Sequence, residues 1–341
     1  MADPFSCFGD SSDESYEDNN NIEDANLLEG KRLKEKSNIV APIPVPIDSD
    51  SFIIYQTEDA GMSIRATKAY KCGDLIMQES AAMRIPNSQA ASSKEAADVL
   101  HQEACQRSFN SLHPATKAAF LELSSCREND DHKTPHGIYD TNAYRLGDHN
   151  LGGLFLTLAR MNHSCTPNVN HYWREDLQQT LIFACRAINV GEEMTTIYGP
   201  SDFMDTKSRR EYLNERFAFI CQCRMCTEGN AKGGDDRIEM IRSLQEDIAL
   251  SSSLTGKDSG AKALSSIKNC LQLMKDSGLG AGVFTKSTLH QGYIYSLAAG
   301  DKQGARSFLV DELKAVQDSE GRDCPNALEI EDTLIRLDLN P

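Results

Sequence analysis

Long apolar runs are missing from this chain of 341 residues. The stretch Ile39 to Ile47 is interrupted by Pro42, Pro44 and Pro46. Gly153 to Ala159 falls far short of the roughly 20 residues a bilayer demands, so neither a membrane span nor a signal peptide is expected. Basic residues are also scarce, with 35 Lys and Arg against 51 Asp and Glu and a formal net charge of -16. Between Asp10 and Glu29 there is no Lys or Arg at all, while Asp10, Asp13, Glu14, Glu17, Asp18, Glu23, Asp24 and Glu29 supply half of that excess. No basic stripe accompanies the cysteines described below, which excludes direct nucleic-acid binding as the organising activity. An acidic surface is compatible with a Lys/Arg-rich protein partner.

The length is sufficient for a sizeable core and two domains, and 40% hydrophobic with 25% charged residues is ordinary for a globular chain. Residues 1–50 form an acidic leader and Pro-rich linker whose composition cannot bury enough apolar area to offset the entropy of ordering, so disorder is expected. Lys31-Arg32-Leu33-Lys34-Glu35-Lys36 reads as a solvated linker, with a weak nuclear address as the other reading. Order begins near Ser51, with short antiparallel strands at Phe52–Tyr55, Ser63–Tyr70 and Leu75–Glu79 separated by turn residues. A helical insert at about residues 87–140 carries helix-favouring sequence from Ser88 to about Cys126, with Val99, Leu100, Ala104, Ala118, Ala119 and Leu123 at helical spacing, and then a polar loop from Glu128 to His136. His132 and His136 are expected to be exposed loop histidines, since no second ligand pair accompanies them. Strand character returns at Val169–Tyr172 and Thr180–Ile188. Residues 229–341 turn helical: Ile238, Ile241, Leu244 and Ile248 share one face, as do Leu264, Ile267, Leu271 and Met274. Tyr293 to Leu313, with Gly300-Asp301 between two helical halves, resembles one tetratricopeptide-type unit.

Eleven cysteines in a chain without secretory features point to metal ligands and buried thiols rather than a disulfide framework. Cys221, Cys223 and Cys226 follow the pattern Cys-x-Cys-x-x-Cys, which lets three thiolates converge on one ion from a tight loop. Zinc takes four such ligands tetrahedrally, and Cys165, in the polar string Asn162-His163-Ser164-Cys165-Thr166-Pro167-Asn168, is the natural fourth. The site would be structural and would pin residues 201–228 beside that string. Buried structural thiols are the competing reading. Phe217 and Phe219, just before the cysteines, would face the same way if extended, either as a platform for a base or alkylammonium or as core phenylalanines.

These pieces occur in a set order with Gly191-Glu192-Glu193-Met194-Thr195-Thr196-Ile197-Tyr198-Gly199, Gly61-Met62-Ser63-Ile64-Arg65-Ala66 and Thr141-Asn142-Ala143-Tyr144. Together they resemble the SET-domain protein lysine methyltransferases, nearest to the SET-and-MYND type but without the MYND finger. The chain also resembles fungal SET-domain proteins with a helical C-terminal region. The resemblance covers roughly residues 51–228 and implies an α+β fold: short curved sheets around a threaded loop in 51–200, the helical insert, a post-SET zinc segment at 201–228 and a C-terminal helical domain.

The resemblance further implies S-adenosylmethionine as cofactor and a lysine side chain of a protein, histone or non-histone, as methyl acceptor. It implies a nuclear or cytoplasmic setting. By position, Asn162 would bind the charged methionine end of the cofactor and His163 its adenine region. Met62 to Arg65 would pass along the methionine moiety, Asn142 would add a polar contact and Phe219 would lie against the adenine. Phe217 would line the lysine channel and Tyr198 would be the catalytic tyrosine. Gly61-Met62-Ser63 stands where many members have Gly-x-Gly, which predicts a tighter approach of the backbone to the cofactor. A catalytically silent SET-fold scaffold is the alternative function.

Overall fold

The computed structural model describes residues 50–57, 61–86, 93–127, 132–147, 150–199, 203–229, 233–251 and 257–339, with 257–259 described in backbone only. The acidic leader and the Lys31–Lys36 run lie outside the described residues. In chain order the strands are β1 (Phe52–Gln56), β2 (Met62–Ala66), β3 (Leu75–Glu79), β4 (Met83–Pro86), β5 (Ala143–Arg145), β6 (Leu151–Leu154), β7 (Asn162–His163), β8 (Val169–Arg174), β9 (Gln179–Ala184) and β10 (Thr195–Thr196). The helices are α1 (Lys94–Ser111), α2 (Pro114–Leu121), α3 (Pro135–Asn142), α4 (Thr206–Phe217), α5 (Gly234–Ser251), α6 (Lys257–Asp276), α7 (Gly282–Ala298), α8 (Lys302–Glu320) and α9 (Pro325–Leu339).

The strands make four small sheets: β1-β2, β3-β9-β8, β4-β6-β5, and the parallel pair β7-β10. Apolar side chains from several of them meet in one core containing Ile64, Phe155, Leu158, Met161, Ile182 and Met194. Fully burying a side chain of this kind stabilises by about 1.5–3 kcal/mol. The β7-β10 pair is only two residues long, with Thr195 opposite Asn162 and Thr196 opposite His163. Its surroundings reinforce it, because Ser164 N donates to the Thr196 carbonyl at 2.9 Å and Asn168 N to that of Thr195 at 3.2 Å. A polar string that could not pair with itself is thus tied down by a partner thirty residues on.

Local chemistry sets the insert. Ser93 caps α1, its hydroxyl accepting from Ala96 N at 3.2 Å. The helical pattern predicted through Cys126 is broken at Pro114, because the residue before a proline is driven to extended backbone; His113 sits at φ -61°, ψ 145° and caps α2. His136 is not in a loop. Pro135 occupies the first turn of α3 and Thr134 caps it, so the segment expected to be irregular starts a helix that ends at Asn142. Sequence-predicted strands are shorter than expected: Ser63–Tyr70 reduces to β2 plus a lone bridge from Tyr70 to Ile188, and Thr180–Ile188 to β9.

The C-terminal helices bury Ile238, Ile241, Ile248, Ile267 and Met274 against one another. The antiparallel pair α7-α8 turns at Gly300, whose φ of +76° suits glycine, and Asp301 caps α8 by accepting from Gly304 N at 2.8 Å. This layer lies on the strand region: Asn170 Nδ2 donates to the Ser319 carbonyl at 2.8 Å, and Arg174 Nη1 reaches Asp323 at 3.1 Å. No helix among the described residues is long and apolar enough to cross a membrane.

Candidate active site

A cleft of about 1580 Å³ opens between the strands, the end of the insert and the segment after α4. Its lining includes Met62, Asn142, Asn162, His163, Tyr198, Phe217 and Phe219, so seven of the eight residues assigned to cofactor, channel and catalysis converge on one space. Arg65 is the exception. It is exposed, with its guanidinium 4.9 Å from the Tyr55 ring centroid.

The strand-built wall is held by a carboxylate. Glu193 Oε1 accepts from Asn162 Nδ2 at 3.0 Å and from Ser63 Oγ at 2.5 Å. Ser63 is fully buried, with its hydroxyl committed to that bond, and it is not among the cleft-lining residues. The tight backbone approach predicted from Ser63 is therefore replaced by a fixing role. Gly61, at φ +71°, supplies the turn instead, and Met62 is the residue that reaches the cleft. Asn168, 1% exposed, completes the wall: its Nδ2 donates to Glu192 at 3.1 Å and to the Glu193 carbonyl at 2.8 Å, while its Oδ1 accepts from Thr195 N at 2.8 Å. Glu193, Ser63 and Asn168 were not singled out from sequence as site residues. The only available signal was their place inside motifs already marked.

His163 is neutral and of defined tautomer. Its Nδ1 accepts from Tyr198 N at 3.0 Å, leaving Nε2 as the donor toward Cys165 Sγ at 3.3 Å, and burial pushes the imidazole down to about 4. Tyr198 donates its hydroxyl to the Met161 carbonyl at 2.7 Å. Burial, and then the Glu193 charge, hold the phenol well above its usual range, so it stays protonated. Aromatic rings surround it: Phe217 at 5.0 Å, His163 at 5.4 Å and Phe219 at 6.2 Å between centroids. Phe217 and Phe219 reach this position by another route than an extended strand. Phe217 ends α4, and Ala218 adopts a left-handed φ of +58° that terminates the helix and brings Phe219 to the same ring. Asn142 has its amide nitrogen engaged at 2.8 Å by both the Ser124 and Ile138 carbonyls, so it closes the insert end of the cleft.

Behind the rings the four predicted cysteines meet. The sulfurs of Cys165, Cys221, Cys223 and Cys226 lie within 4.8 Å of one another, with Cys165 at 3.9 Å from Cys221 and 3.6 Å from Cys226. Arg210 donates to the Cys221 and Cys226 carbonyls at 3.1 and 3.2 Å, which fixes the loop, and the buried Arg209 donates to Cys226 Sγ at 3.6 Å. Four thiols this close cannot all ionise without a cation: Cys221, Cys223 and Cys226 hold Cys165 well above the ordinary thiol range. A four-thiolate donor set is compatible with a zinc ion.

Residues 61–199 match the family model described as SET domain. The chain carries a SET domain. Over 189 residues it is 32% identical to the histone-lysine N-methyltransferase set5 of Schizosaccharomyces pombe, an overlap of 53% of this chain and 52% of that protein. Over 103 residues it is 29% identical to the human histone-lysine N-methyltransferase SMYD3, covering 28% and 23%. The chain thus spans about half the length of the first of these relatives and a quarter of the second. A crystal structure of the SET domain of LSMT bound to lysine and AdoHcy overlaps 86% of this chain and 89% of that one at 11% identity, with a TM-score of 0.32. Within the SET domain, the Asn162–Glu193–Ser63 linkage joins the three matching motif segments through side chains.

Proposed function

We propose that this chain is an S-adenosylmethionine-dependent protein lysine N-methyltransferase. The observation that carries the proposal is Tyr198, a buried phenol anchored by a backbone carbonyl inside a collar of aromatic rings at the cleft. S-adenosylmethionine, when bound, supplies a methyl group on a positively charged sulfur. Asn162 holds the methionine end: Glu193 engages its nitrogen, so the amide presents its oxygen as an acceptor for an ammonium. Phe219 offers a ring face to the adenine, beside a His163 whose neutrality avoids placing a second positive charge near the sulfonium.

A free lysine is almost wholly protonated at neutral pH, with a reference pKa of about 10.4, and an ammonium has no lone pair for attack. Burial between Phe217 and Tyr198 disfavours the charged form and lowers that pKa. Tyr198 has its hydrogen committed to Met161, so toward an amine its oxygen acts as an acceptor. That oxygen accepts an amine N–H, aims the nitrogen, and stabilises positive charge growing on it during transfer. The acidic surface suits a basic protein substrate, histone or non-histone, in a nuclear or cytoplasmic setting.

Tyr198→Phe removes one oxygen and almost no volume. The expected result is an unchanged fold and cofactor affinity with methyl transfer reduced on the order of a hundredfold or more. The assay is transfer of labelled methyl to a mixed protein extract, with cofactor binding measured on both proteins. Equal labelling by wild type and variant would remove Tyr198 from the mechanism. A wild type that binds no cofactor would favour a silent scaffold.

A further inference from the structure

The helical insert holds a second set of metal-binding groups that the chemistry above does not use. On α1, His101 and Cys105 stand one turn apart, and on α3, packed against it, His136 and Asp140 do the same. Residues four apart share a helix face, so two such pairs on facing helices aim four donors at one region. Asp140 lies between the imidazoles, with Oδ1 3.0 Å from His101 Nε2 and Oδ2 3.3 Å from His136 Nε2. One ligand atom each from His101, His136 and Asp140 falls within 4.8 Å of the others, and the two rings meet edge to face at 5.3 Å. Cys105, wholly buried, has its sulfur 3.8 Å from His101 Nε2.

Nitrogen and oxygen ligands at about 2.0–2.1 Å from a tetrahedral zinc lie about 3.3 Å apart, so the 3.3 Å from His136 Nε2 to Asp140 Oδ2 matches a coordination edge, and one donor atom from each of the three residues already lies within 4.8 Å of the others. We infer that His101, His136 and Asp140 form a second transition-metal site, of zinc type, with water completing the tetrahedron on the partly exposed His136 side. Cys105 lies beside it and is not one of the three converging donors. A plain hydrogen-bonded tie is the competing arrangement, and Arg127, 3.5 Å from Asp140 Oδ2, would then share the carboxylate. The position gives the ion a purpose. The two residues after Asp140 are Thr141 and Asn142, both lining the cleft, so an ion clamping α3 to α1 fixes that wall.

The test uses the full chain, loaded with zinc and dialysed, with metal counted per chain. Two zinc ions are expected in the wild type, falling to one in His136→Gln while the cysteine site keeps its own. One zinc in the wild type, or two retained in His136→Gln, overturns the inference. If circular dichroism shows that His136→Gln misfolds, cobalt titration of the metal-free wild type decides. A second equivalent that adds visible absorption without a matching rise in sulfur-to-metal charge transfer supports the site. Saturation at one equivalent refutes it.

Discussion

The two walls of the cleft are held by different means. The strand-built wall, carrying Asn162, is fixed by hydrogen bonds among Ser63, Glu193 and Asn168, all inside the first 200 residues. The opposite wall, carrying Phe217 and Phe219, comes from the end of α4 and depends on Cys221, Cys223 and Cys226 staying beside Cys165. Each side chain of the first wall has neutral or charge-assisted partners of its own. The second wall brings four sulfurs together, an arrangement that repels itself once the thiols ionise. Metal loss should therefore dismantle one wall and spare the other, while loss of the Glu193 carboxylate should weaken the first.

Zinc removal is the largest lever. Structural zinc sites contribute on the order of 10 kcal/mol of binding free energy, so chelation or Cys223→Ser should release the Cys221–Cys226 loop and abolish cofactor binding. The β8-β9 region should keep its hydrogen-exchange protection. Exchange mapped by mass spectrometry with and without chelator checks this, and uniform loss of protection would show that the walls are not separable.

Acid is the next. His171, on β8 with its ring 4.7 Å from that of Tyr144, is pushed down to about 4 by burial. A histidine with a depressed native pKa takes up fewer protons than the unfolded chain between its two pKa values. Its contribution is thus fully present above the unfolded value of about 6.5 and is lost as pH falls toward 4. Between pH 7 and 5 this site alone should remove about 2 kcal/mol of stability. In urea titrations at both pH values the stability lost between pH 7 and 5 should be smaller by that amount in His171→Gln than in the wild type, and equal losses would place His171 in water.

The smallest effect is expected at Glu193. Glu193→Ala removes the one oxygen that accepts from both Asn162 and Ser63 and leaves those donors without it, a loss of about 1–3 kcal/mol. Cofactor affinity should fall about tenfold with the zinc content unchanged. Unchanged affinity on calorimetry would mean that Asn162 needs no anchor.

Much of this was legible in the sequence because the chemistry leaves short, spaced signatures. The four cysteines could be grouped by their ligand spacing, whereas Asn162, His163 and Tyr198 were assigned to one site through the resemblance of their motifs to the SET-domain family. Two kinds of feature were hidden. Arg65 was assigned to the cofactor from its motif, but in the fold it is exposed and sets its guanidinium over Tyr55 on the strand paired with β2. His136 was read as an exposed loop histidine because its ring partner, His101, lies more than thirty residues earlier. Only the packing of α1 on α3 brings them together. Ser63 looked like an obstruction because its partner, Glu193, is 130 positions away.

The most direct test of the central claim is calorimetric titration of S-adenosylmethionine into the zinc-loaded full chain and into Phe219→Ala. The account predicts one binding site per wild-type chain, with affinity falling about tenfold or more in the variant as stacking worth about 1–3 kcal/mol is lost. No binding by zinc-loaded wild type, or equal affinity in the two proteins, would contradict it.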